Sequence, residues 1–166
     1  MPATHPNARL IDGFYAAFAR RDAAAMAACY APDATFRDPV FDLAGAEVGA
    51  MWAMLCARGD DLALDWRDVR ADDRAGSAHW EPRYTFTATG RPVHNVVDAA
   101  FTFRDGRIAA HVDRFDLWRW TRRALGIKGT LLGWTPPVQN AVRRRARRGL
   151  DAWIARAALR STLPPA

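Results

Sequence analysis

Helical spacing governs the apolar positions in the first sixty residues. Between residues 10 and 18, apolar side chains recur every three or four positions, as one face of a helix requires. Asp22 can cap a second, Ala-rich helix that carries Met26, Cys29 and Tyr30. A third helix is predicted from about Ala46 to Arg58, where Gly59 can end it. The N-terminal part is therefore predicted to form three helices.

Beyond residue 60 the apolar period changes to two, which is the period of a strand. One apolar face comprises Ala78, Trp80, Pro82, Tyr84, Phe86 and Ala88. The segment from Val93 to Phe103 alternates in the same way, and Asp105-Gly106 is typical of a tight hairpin turn. A last strand is predicted from about Ile108 to Trp118. Helices followed by hairpin-linked strands favour an α+β fold with an antiparallel sheet.

Charge is divided unevenly along the chain. Residues 117–166 contain 10 Arg and one Lys against Asp151 alone, a net charge of +10, whereas residues 1–116 have a net charge of −4. A charge split of this kind indicates an appendage that faces a partner. We therefore predict a domain over residues 1–118 and a basic, Trp-rich helical extension over residues 119–166.

Other features narrow the class of protein. No apolar run approaches the ~20 residues of a membrane-spanning helix. The polar segment Met1 to Asn7 lacks the basic-then-apolar pattern of a secretory leader. Cys29 and Cys56 lie in apolar, helical surroundings, which favours small buried thiols over a disulfide. A cytoplasmic location is the resulting expectation.

Asp38 is the most informative residue for chemistry. Alternation places it on the apolar face with Phe36 and Val40. A carboxylate there is costly unless it is paired, hydrogen-bonded or beside a wet cavity, and burial would raise its pKa above ~3.9. Those conditions favour a general base. An Asp before Pro39 is equally typical of a turn whose side chain binds nearby backbone amides, and the pattern leaves both interpretations open.

His111 and Asp113 lie two residues apart and share a face of the last predicted strand. A carboxylate beside a His orients the ring and stabilises its cation. Together with Asp38 the pair would form a cluster suited to proton transfer. Apolar residues lie on both faces of this strand, so a solvated His-Asp pair on the outer surface is the alternative.

Further side chains on the apolar faces are candidates for binding a ligand. Asn95 lies among apolar residues, where its amide needs either a ligand oxygen or the backbone of a neighbouring strand. The large aromatics are either core residues or platforms for a ligand: Phe14, Trp52, Trp80 and Tyr84. The remaining histidines show no metal-ligand spacing with one another or with the cysteines, so neither a metal site nor a cofactor is expected.

Four segments of the chain resemble bacterial ketosteroid isomerases and SnoaL-like proteins. They read LIDGFYAAF at 10–18, YAPDATFRDPV at 30–40, FTFRDGRI at 101–108 and HVDRFD at 111–116. The resemblance covers about residues 8–118. It implies a nuclear transport factor 2-like α+β fold, in which a cone-shaped, curved antiparallel sheet is wrapped by N-terminal helices around a pocket.

The resemblance also implies roles for particular residues. Asp38 stands where ketosteroid isomerases keep the carboxylate that carries the proton, and His111, Asp113 and Phe115 would turn inward toward it. Phe14 stands where those enzymes keep a tyrosine donor, and Ala99 stands where they keep a protonated aspartic acid. Because both oxyanion donors are replaced, the resemblance argues against ketosteroid isomerase activity itself. Limonene-epoxide-hydrolase relatives use an Asp-Arg-Asp set, and this chain has no Arg at an inward-facing strand position to match it.

The leading functional hypothesis is an acid–base enzyme, an isomerase, cyclase or hydratase/hydrolase acting on a small apolar substrate. Asp38 would be the general base or acid, with His111 as its partner and Asp113 orienting His111. Phe14, Trp52, Trp80, Tyr84, Asn95 and Phe115 would bind the substrate. The alternative is a non-catalytic ligand-binding or dimerisation module, since this fold carries many functions.

Two surfaces are candidates for interaction. The outer sheet face is unusually apolar, which predicts a two-fold dimer, and its apolar residues are Val96, Ala100, Ala110 and Val112. The extension combines Trp and Leu with Arg. It could pack on the acidic body or on a second subunit, or it could lie on an anionic membrane surface. Nucleic acid is not expected as a partner, because no aromatic platform lies on a basic sheet face.

Overall fold

The three predicted N-terminal helices are present. In the computed structural model, which describes residues 5–162, they are α1 (Pro6–Ala19), α2 (Ala23–Ala28) and α3 (Ala46–Arg58). Asp22 caps α2 as expected, since its Oδ1 accepts the backbone N–H of Ala25 at 3.0 Å. The first four residues of the polar N-terminal segment lie outside the described range, as do residues 163–166.

Within residues 5–162, seven strands form one curved sheet. They are β1 (Tyr30–Arg37), β2 (Asp42–Ala44), β3 (Ala63–Ala71), β4 (Ala75–Phe86), β5 (Arg91–His94), β6 (Val97–Arg104) and β7 (Arg107–Arg114). The order is β2-β1-β7-β6-β4-β3, and β5 also pairs with β4. The α+β fold is therefore confirmed.

The pairing departs from the sequence expectation at one place. Every neighbouring pair is antiparallel except β1 and β7, which are parallel. Parallel neighbours need a long connection rather than a hairpin, and α3 with strands β2 to β6 supplies it. This pairing sets Phe36 of β1 beside His111 of β7.

The last strand is shorter than predicted. It ends at Arg114, and a helix, α4 (Leu117–Leu125), follows. Asp116 starts that helix by accepting the backbone N–H of Arg119 at 3.0 Å. Trp118 therefore lies in a helix and not at the end of a strand, because the local cap outweighs the strand pattern.

The core lies between the concave face of the sheet and the N-terminal helices. Its largest fully buried side chains include Phe14 and Tyr15 from α1, Trp52 from α3 and Ile108 from β7. Burying a large apolar side chain contributes about 1.5–3 kcal/mol, so these residues hold the helices on the sheet.

The outer sheet face carries a polar network beside its apolar residues. Glu81 accepts from Arg67 at 2.9 Å, from His94 at 2.7 Å and from His79 at 3.2 Å. These three partners, Arg67 foremost, lower the pKa of the Glu81 carboxyl to about 2. Val96, Ala100, Ala110 and Val112 are all partly exposed. Dimerisation through this face stays a prediction.

The extension comprises α4, α5 (Ile127–Leu132) and α6 (Pro136–Thr162). It packs on the domain through α4, which contacts β5, and through α6, which contacts α3, while α5 packs on α4. Leu150 of α6 is fully buried in the core. Arg147 forms an ion pair with Glu47 of α3, and Arg143 Nε donates to the carbonyl of Pro39 at 2.8 Å. The basic helix is thus held by an apolar anchor together with contacts to acceptors on the body. No helix between residues 5 and 162 is long and apolar enough to cross a membrane.

Removing the apolar anchor of α6 should destabilise the fold. Leu150→Ala leaves a cavity between α6 and the core, and we expect the free energy of unfolding to fall by about 2–5 kcal/mol. Chemical denaturation followed by circular dichroism measures this. The matched control is Leu159→Ala on the same helix, where the side chain is 66% exposed and the change should stay within about 0.5 kcal/mol. Equal effects from both substitutions would contradict the anchoring role.

Candidate functional site

A cavity of about 600 Å³ lies between the concave face of the sheet, α3 and the extension. Much of its wall is apolar and comes from α1, α3 and the sheet: Phe18, Phe36, Met51, Trp52, Trp80 and Val97. The polar side chains that line it include Asp38, Tyr84, Asn95 and Asp113, together with Arg58, Thr85, Thr87, Thr89 and Arg145. A largely apolar pocket with a few polar groups is the usual form of a small-molecule site.

Asp38 is held by a turn directly after β1. Its backbone N–H donates to the carbonyl of Phe41 at 2.9 Å. Its Oδ1 accepts the backbone N–H groups of Val40 and Phe41, at 2.7 and 2.6 Å. Its Oδ2 accepts no hydrogen bond from any described residue. One oxygen therefore fixes the carboxylate, and the other remains available on the cavity wall.

Burial raises the pKa of the Asp38 carboxyl from its ordinary value to about 6. The two backbone hydrogen bonds and the electrostatic influence of His111 act in the opposite direction, and the negative charge of Asp113 adds to the increase. The two interpretations of Asp38 left open by the sequence are compatible, because the residue both forms the turn and lines the cavity. A carboxyl with this pKa can accept and donate a proton near neutral pH.

A chain of hydrogen bonds runs through the buried wall beside Asp38. Trp52 Nε1 donates to the hydroxyl of Tyr30 at 2.9 Å, and that hydroxyl lies 2.7 Å from His111 Nδ1. His111 Nε2 lies 2.9 Å from Asp113 Oδ1, which also accepts from Trp80 Nε1 at 3.3 Å. With Tyr30 donating to Nδ1 and Nε2 donating to Asp113, every contact pairs one donor with one acceptor.

Some of the site residues predicted from the sequence line the cavity, and others are buried behind its wall. Asp38, Asp113, Trp52, Trp80, Tyr84, Asn95 and Phe115 all line the cavity. His111 and Phe14 do not line it: both are fully buried, and each packs against the ring of Trp52. The expectation that His111 lines the pocket is thus wrong, because aromatic rings cover the imidazole. His111 is linked to the cavity through its hydrogen bond to Asp113 and through the rings of Trp52 and Phe36.

Two polar groups face the cavity without a protein acceptor. The side-chain amide of Asn95 is 7% exposed and makes no hydrogen bond with any described residue. The hydroxyl of Tyr84 accepts from Trp120 Nε1 at 2.9 Å, which leaves its own proton free to donate. Burial raises the pKa of Tyr84, and the charge of Asp38 adds to the increase. Both groups can therefore donate to an oxygen of a bound molecule.

Comparison with known proteins gives the family. Residues 11–111 match the family model of the SnoaL-like domain. The chain belongs to the SnoaL-like family. No curated protein sequence matches it.

Several solved structures share the fold. An epoxide hydrolase of M. tuberculosis, of the kind that resembles limonene-epoxide hydrolases, is 20% identical with a TM-score of 0.63, covering 81% of this chain and 99% of that one. A putative polyketide cyclase of Xanthomonas campestris is 24% identical with a TM-score of 0.58, covering 72% and 96%. A ketosteroid isomerase-like protein of Catenulispora acidiphila is 15% identical with a TM-score of 0.63, covering 76% and 97%.

The SnoaL-like match ends before part of the site. It includes Asp38, Asn95 and His111 but stops two residues before Asp113. The extension adds further walls beyond the match, with Trp120 from α4 and Val142, Arg145, Ala146 and Gly149 from α6. These α6 positions recur at the spacing of one helix face. The site therefore combines the SnoaL-like fold with walls that lie outside the match.

The sequence interpretation misses Tyr30 and the contribution of the extension. It places Tyr30 in the second helix, although this residue begins β1 and is buried like Ala34 and Phe36 of the same strand. The exposed Pro32 and a register shift between Tyr30 and Thr35 interrupt the alternation, so periodicity carries little signal for Tyr30. For Arg58 and the α6 residues no local signal exists, because their approach to the cavity depends on long-range packing. Residues 5–162 contain no cluster of three or more His, Cys, Asp or Glu that could hold a metal ion.

The raised pKa of Asp38 predicts a pH dependence of stability. In the unfolded chain an Asp has a pKa of ~3.9, whereas the folded value is about 6. The stabilising effect of the protonated form is complete below the unfolded pKa and is lost as the pH rises through the folded pKa, by up to about 3 kcal/mol. Asp38→Asn keeps an oxygen for the two backbone amides and removes the titration.

We therefore expect the unfolding free energy of Asp38→Asn, relative to the unsubstituted chain, to increase by about 1–3 kcal/mol between pH 4.5 and pH 8. Urea denaturation at a series of pH values measures it. Asp42→Asn is the control, because this exposed carboxylate is paired with Arg37 and should show no such increase. A pH-independent difference for Asp38→Asn would show that the carboxyl is not desolvated.

Proposed function

We propose that this protein is an acid–base enzyme that isomerises, cyclises or hydrates a small, largely apolar molecule. The observation that carries the proposal is the state of Asp38: Oδ1 is fixed by two backbone amides, Oδ2 is unpartnered among the described residues, and the pKa is about 6. Two proteins of similar fold are described as an epoxide hydrolase and a putative polyketide cyclase, which supports an enzyme that acts on small organic molecules.

Asp38 acts as the group that moves the proton. Its Oδ2 takes a proton from a substrate carbon or from a water molecule, and the protonated carboxyl can return that proton to another substrate atom. Negative charge then develops on a substrate oxygen. The Tyr84 hydroxyl and the Asn95 amide stabilise it by donating hydrogen bonds within a partly desolvated cavity.

His111 and Asp113 have roles that differ from the sequence expectation. His111 does not reach the substrate, so it is a positioning residue that holds Asp113 and the Tyr30 hydroxyl in place. Asp113 lines the cavity near Asp38, and its charge contributes to the raised pKa of Asp38. By holding Asp113 in place, His111 therefore helps to keep the pKa of Asp38 raised.

The test uses 5-nitrobenzisoxazole, an apolar molecule whose ring opens when a base removes the proton on carbon as the N–O bond breaks. We expect the rate to increase with pH around an apparent pKa of about 6 and to fall by roughly 10²-fold or more in Asp38→Asn. Absorbance of the phenolate product reports the rate. Asp42→Asn should react like the unsubstituted chain.

The two classes of function give different results with this probe. A non-catalytic binding module would bind the benzisoxazole, detectable by quenching of Trp52 and Trp80 fluorescence, without accelerating its ring opening. Retention of the rate in Asp38→Asn would contradict the role of Asp38.

A second proposal concerns an interaction surface, and it rests on exposed apolar residues in the extension. We propose that the segment around α5 binds an anionic membrane surface. Its exposed fractions are 79% for Ile127, 65% for Leu131, 54% for Leu132 and 61% for Trp134. Arg122, Arg123 and Lys128 are neighbours in sequence. Apolar side chains beside cationic ones suit the boundary between headgroups and acyl chains.

The helix α5, which carries most of these exposed residues, packs closely on α4. A Cβ at Gly129 of α5 would lie 1.9 Å from the carbonyl oxygen of Thr121 in α4. The two helices therefore approach more closely than any side chain larger than hydrogen allows. Close packing on α4 fixes which residues of α5 face away from the protein.

Vesicle sedimentation tests the membrane proposal. Vesicles containing phosphatidylglycerol should bind the chain more strongly than phosphatidylcholine vesicles, and 0.5 M salt should weaken that binding. The double variant Leu131→Ser, Trp134→Ser should lose at least tenfold in partitioning, because it removes two large apolar side chains from the surface. Leu159→Ser, at a position 66% exposed on α6, is the control. Equal losses in both variants would contradict the proposal.

A further inference from the structure

Two arginines stand where the cavity opens to solvent. Arg58 at the end of α3 and Arg145 of α6 both line the cavity and are both exposed. The other exposed part of this rim is the turn between β4 and β5, residues 87–89, which is uncharged. The charge at the opening therefore comes from two guanidinium groups.

Neither guanidinium has a partner within residues 5–162. Arg58 and Arg145 make no hydrogen bond or ion pair with any described residue. Arg143 and Arg147 of the same helix α6 differ, since they bond to the carbonyl of Pro39 and to Glu47. The arginines that fasten α6 to the body are thus different residues from those at the opening.

Arg58 reaches across the opening toward α6. A Cβ added at Gly149 would lie 3.5 Å from one terminal nitrogen of Arg58 and 3.7 Å from the other. The guanidinium therefore lies over the part of α6 that carries Gly149, one helical turn after Arg145. Both cations border the same side of the cavity.

The interior has the opposite electrostatic character. Asp38 and Asp113 are the acidic side chains on the cavity wall, and the walls around them are aromatic or aliphatic. An anionic group deep in the cavity would lose its hydration and meet these carboxylates. At the opening it would stay partly hydrated and meet two planar donors that suit a carboxylate.

We infer that the cavity takes an amphiphilic organic acid, with its apolar body inside and its carboxylate between Arg58 and Arg145. This inference rests on the proposed function, because it names the class of molecule that Asp38 would act on. The reacting carbon lies in the apolar body, near Asp38 and Asn95, and the carboxylate sets the orientation. Arg145 belongs to the extension, so the extension contributes to the choice of ligand.

A matched pair of probes tests this inference. The probes are 2-naphthylacetate and 2-naphthylacetamide, which share an apolar body and a similar polar end and differ in charge. Isothermal titration at low salt should give about tenfold tighter binding for the acetate. Arg58→Gln and Arg145→Gln should each reduce that preference to about threefold, and the double variant should abolish it.

Two control variants test whether the preference for the acid comes from contact with the arginines at the opening. One tests the overall charge of α6 as the cause, and the other tests proton transfer. Arg144→Gln removes an equal charge from a neighbouring position that does not line the cavity, and it should leave the preference unchanged. Asp38→Asn should keep or strengthen it, because the substitution removes a negative charge from the cavity wall. Binding selectivity is thus measured independently of proton transfer. A preference that survives in Asp38→Asn while benzisoxazole turnover is absent from the unsubstituted chain would support the ligand class and refute the proposed catalysis.

Several outcomes would overturn the inference. Equal affinity for the two probes is one, and an equal loss of preference in Arg144→Gln and Arg145→Gln is another, because it would indicate a general charge effect. Decanoate and 1-decanol replace the first pair if neither naphthyl probe binds, and equal affinity for these two, or no binding of decanoate, would refute the proposal in the same way. Circular dichroism of each variant establishes that it is folded.

Discussion

The buried chain of hydrogen bonds from Trp52 through Tyr30, His111 and Asp113 to Trp80 is the constraint on which the site depends. An unpartnered buried polar group costs about 1–3 kcal/mol, so each member is tied to the next. Trp52, Asp113 and Trp80 also line the cavity. The network therefore determines the shape of the inner wall and the location of its charge, and His111 acts at its centre without touching the cavity.

The same wall explains why Asp38 can be both ordered and reactive. The turn after β1 supplies two amide donors to one carboxylate oxygen, which limits the cost of its desolvation. The second oxygen is left to the cavity, where burial and the fixed charge of Asp113 raise the pKa. A free carboxylate on a flexible loop would be solvated and would titrate near ~3.9. Order at one oxygen is thus the condition for reactivity at the other.

Periodicity in the sequence predicts the α+β class and much of the inner wall, but not the parallel pairing of β1 with β7. Alternation along β4 correctly places Trp80 and Tyr84 on the cavity wall, because a strand's side chains follow a strict period of two. Asn95, in the short break between β5 and β6, lines the same wall. Alternation fails for His111, because it predicts the side of the sheet on which a side chain lies but not which residues cover that side chain. The rings that cover the imidazole come from α1, α3 and β1. Periodicity also does not predict which residues of the extension line the cavity, because their approach depends on tertiary packing.

The position of α6 also limits how a ligand can enter. Val142, Arg145, Ala146 and Gly149 line the cavity on one helix face. Leu150 follows directly and is fully buried in the core, with Trp153 packed beside it. Lifting α6 from the cavity would expose both anchors, and each large apolar side chain costs about 1.5–3 kcal/mol when exposed. The rim formed by Arg58, Arg145 and the β4–β5 turn is already open to solvent. Entry through it costs none of this packing, so the arginines meet an incoming ligand before Asp38 does.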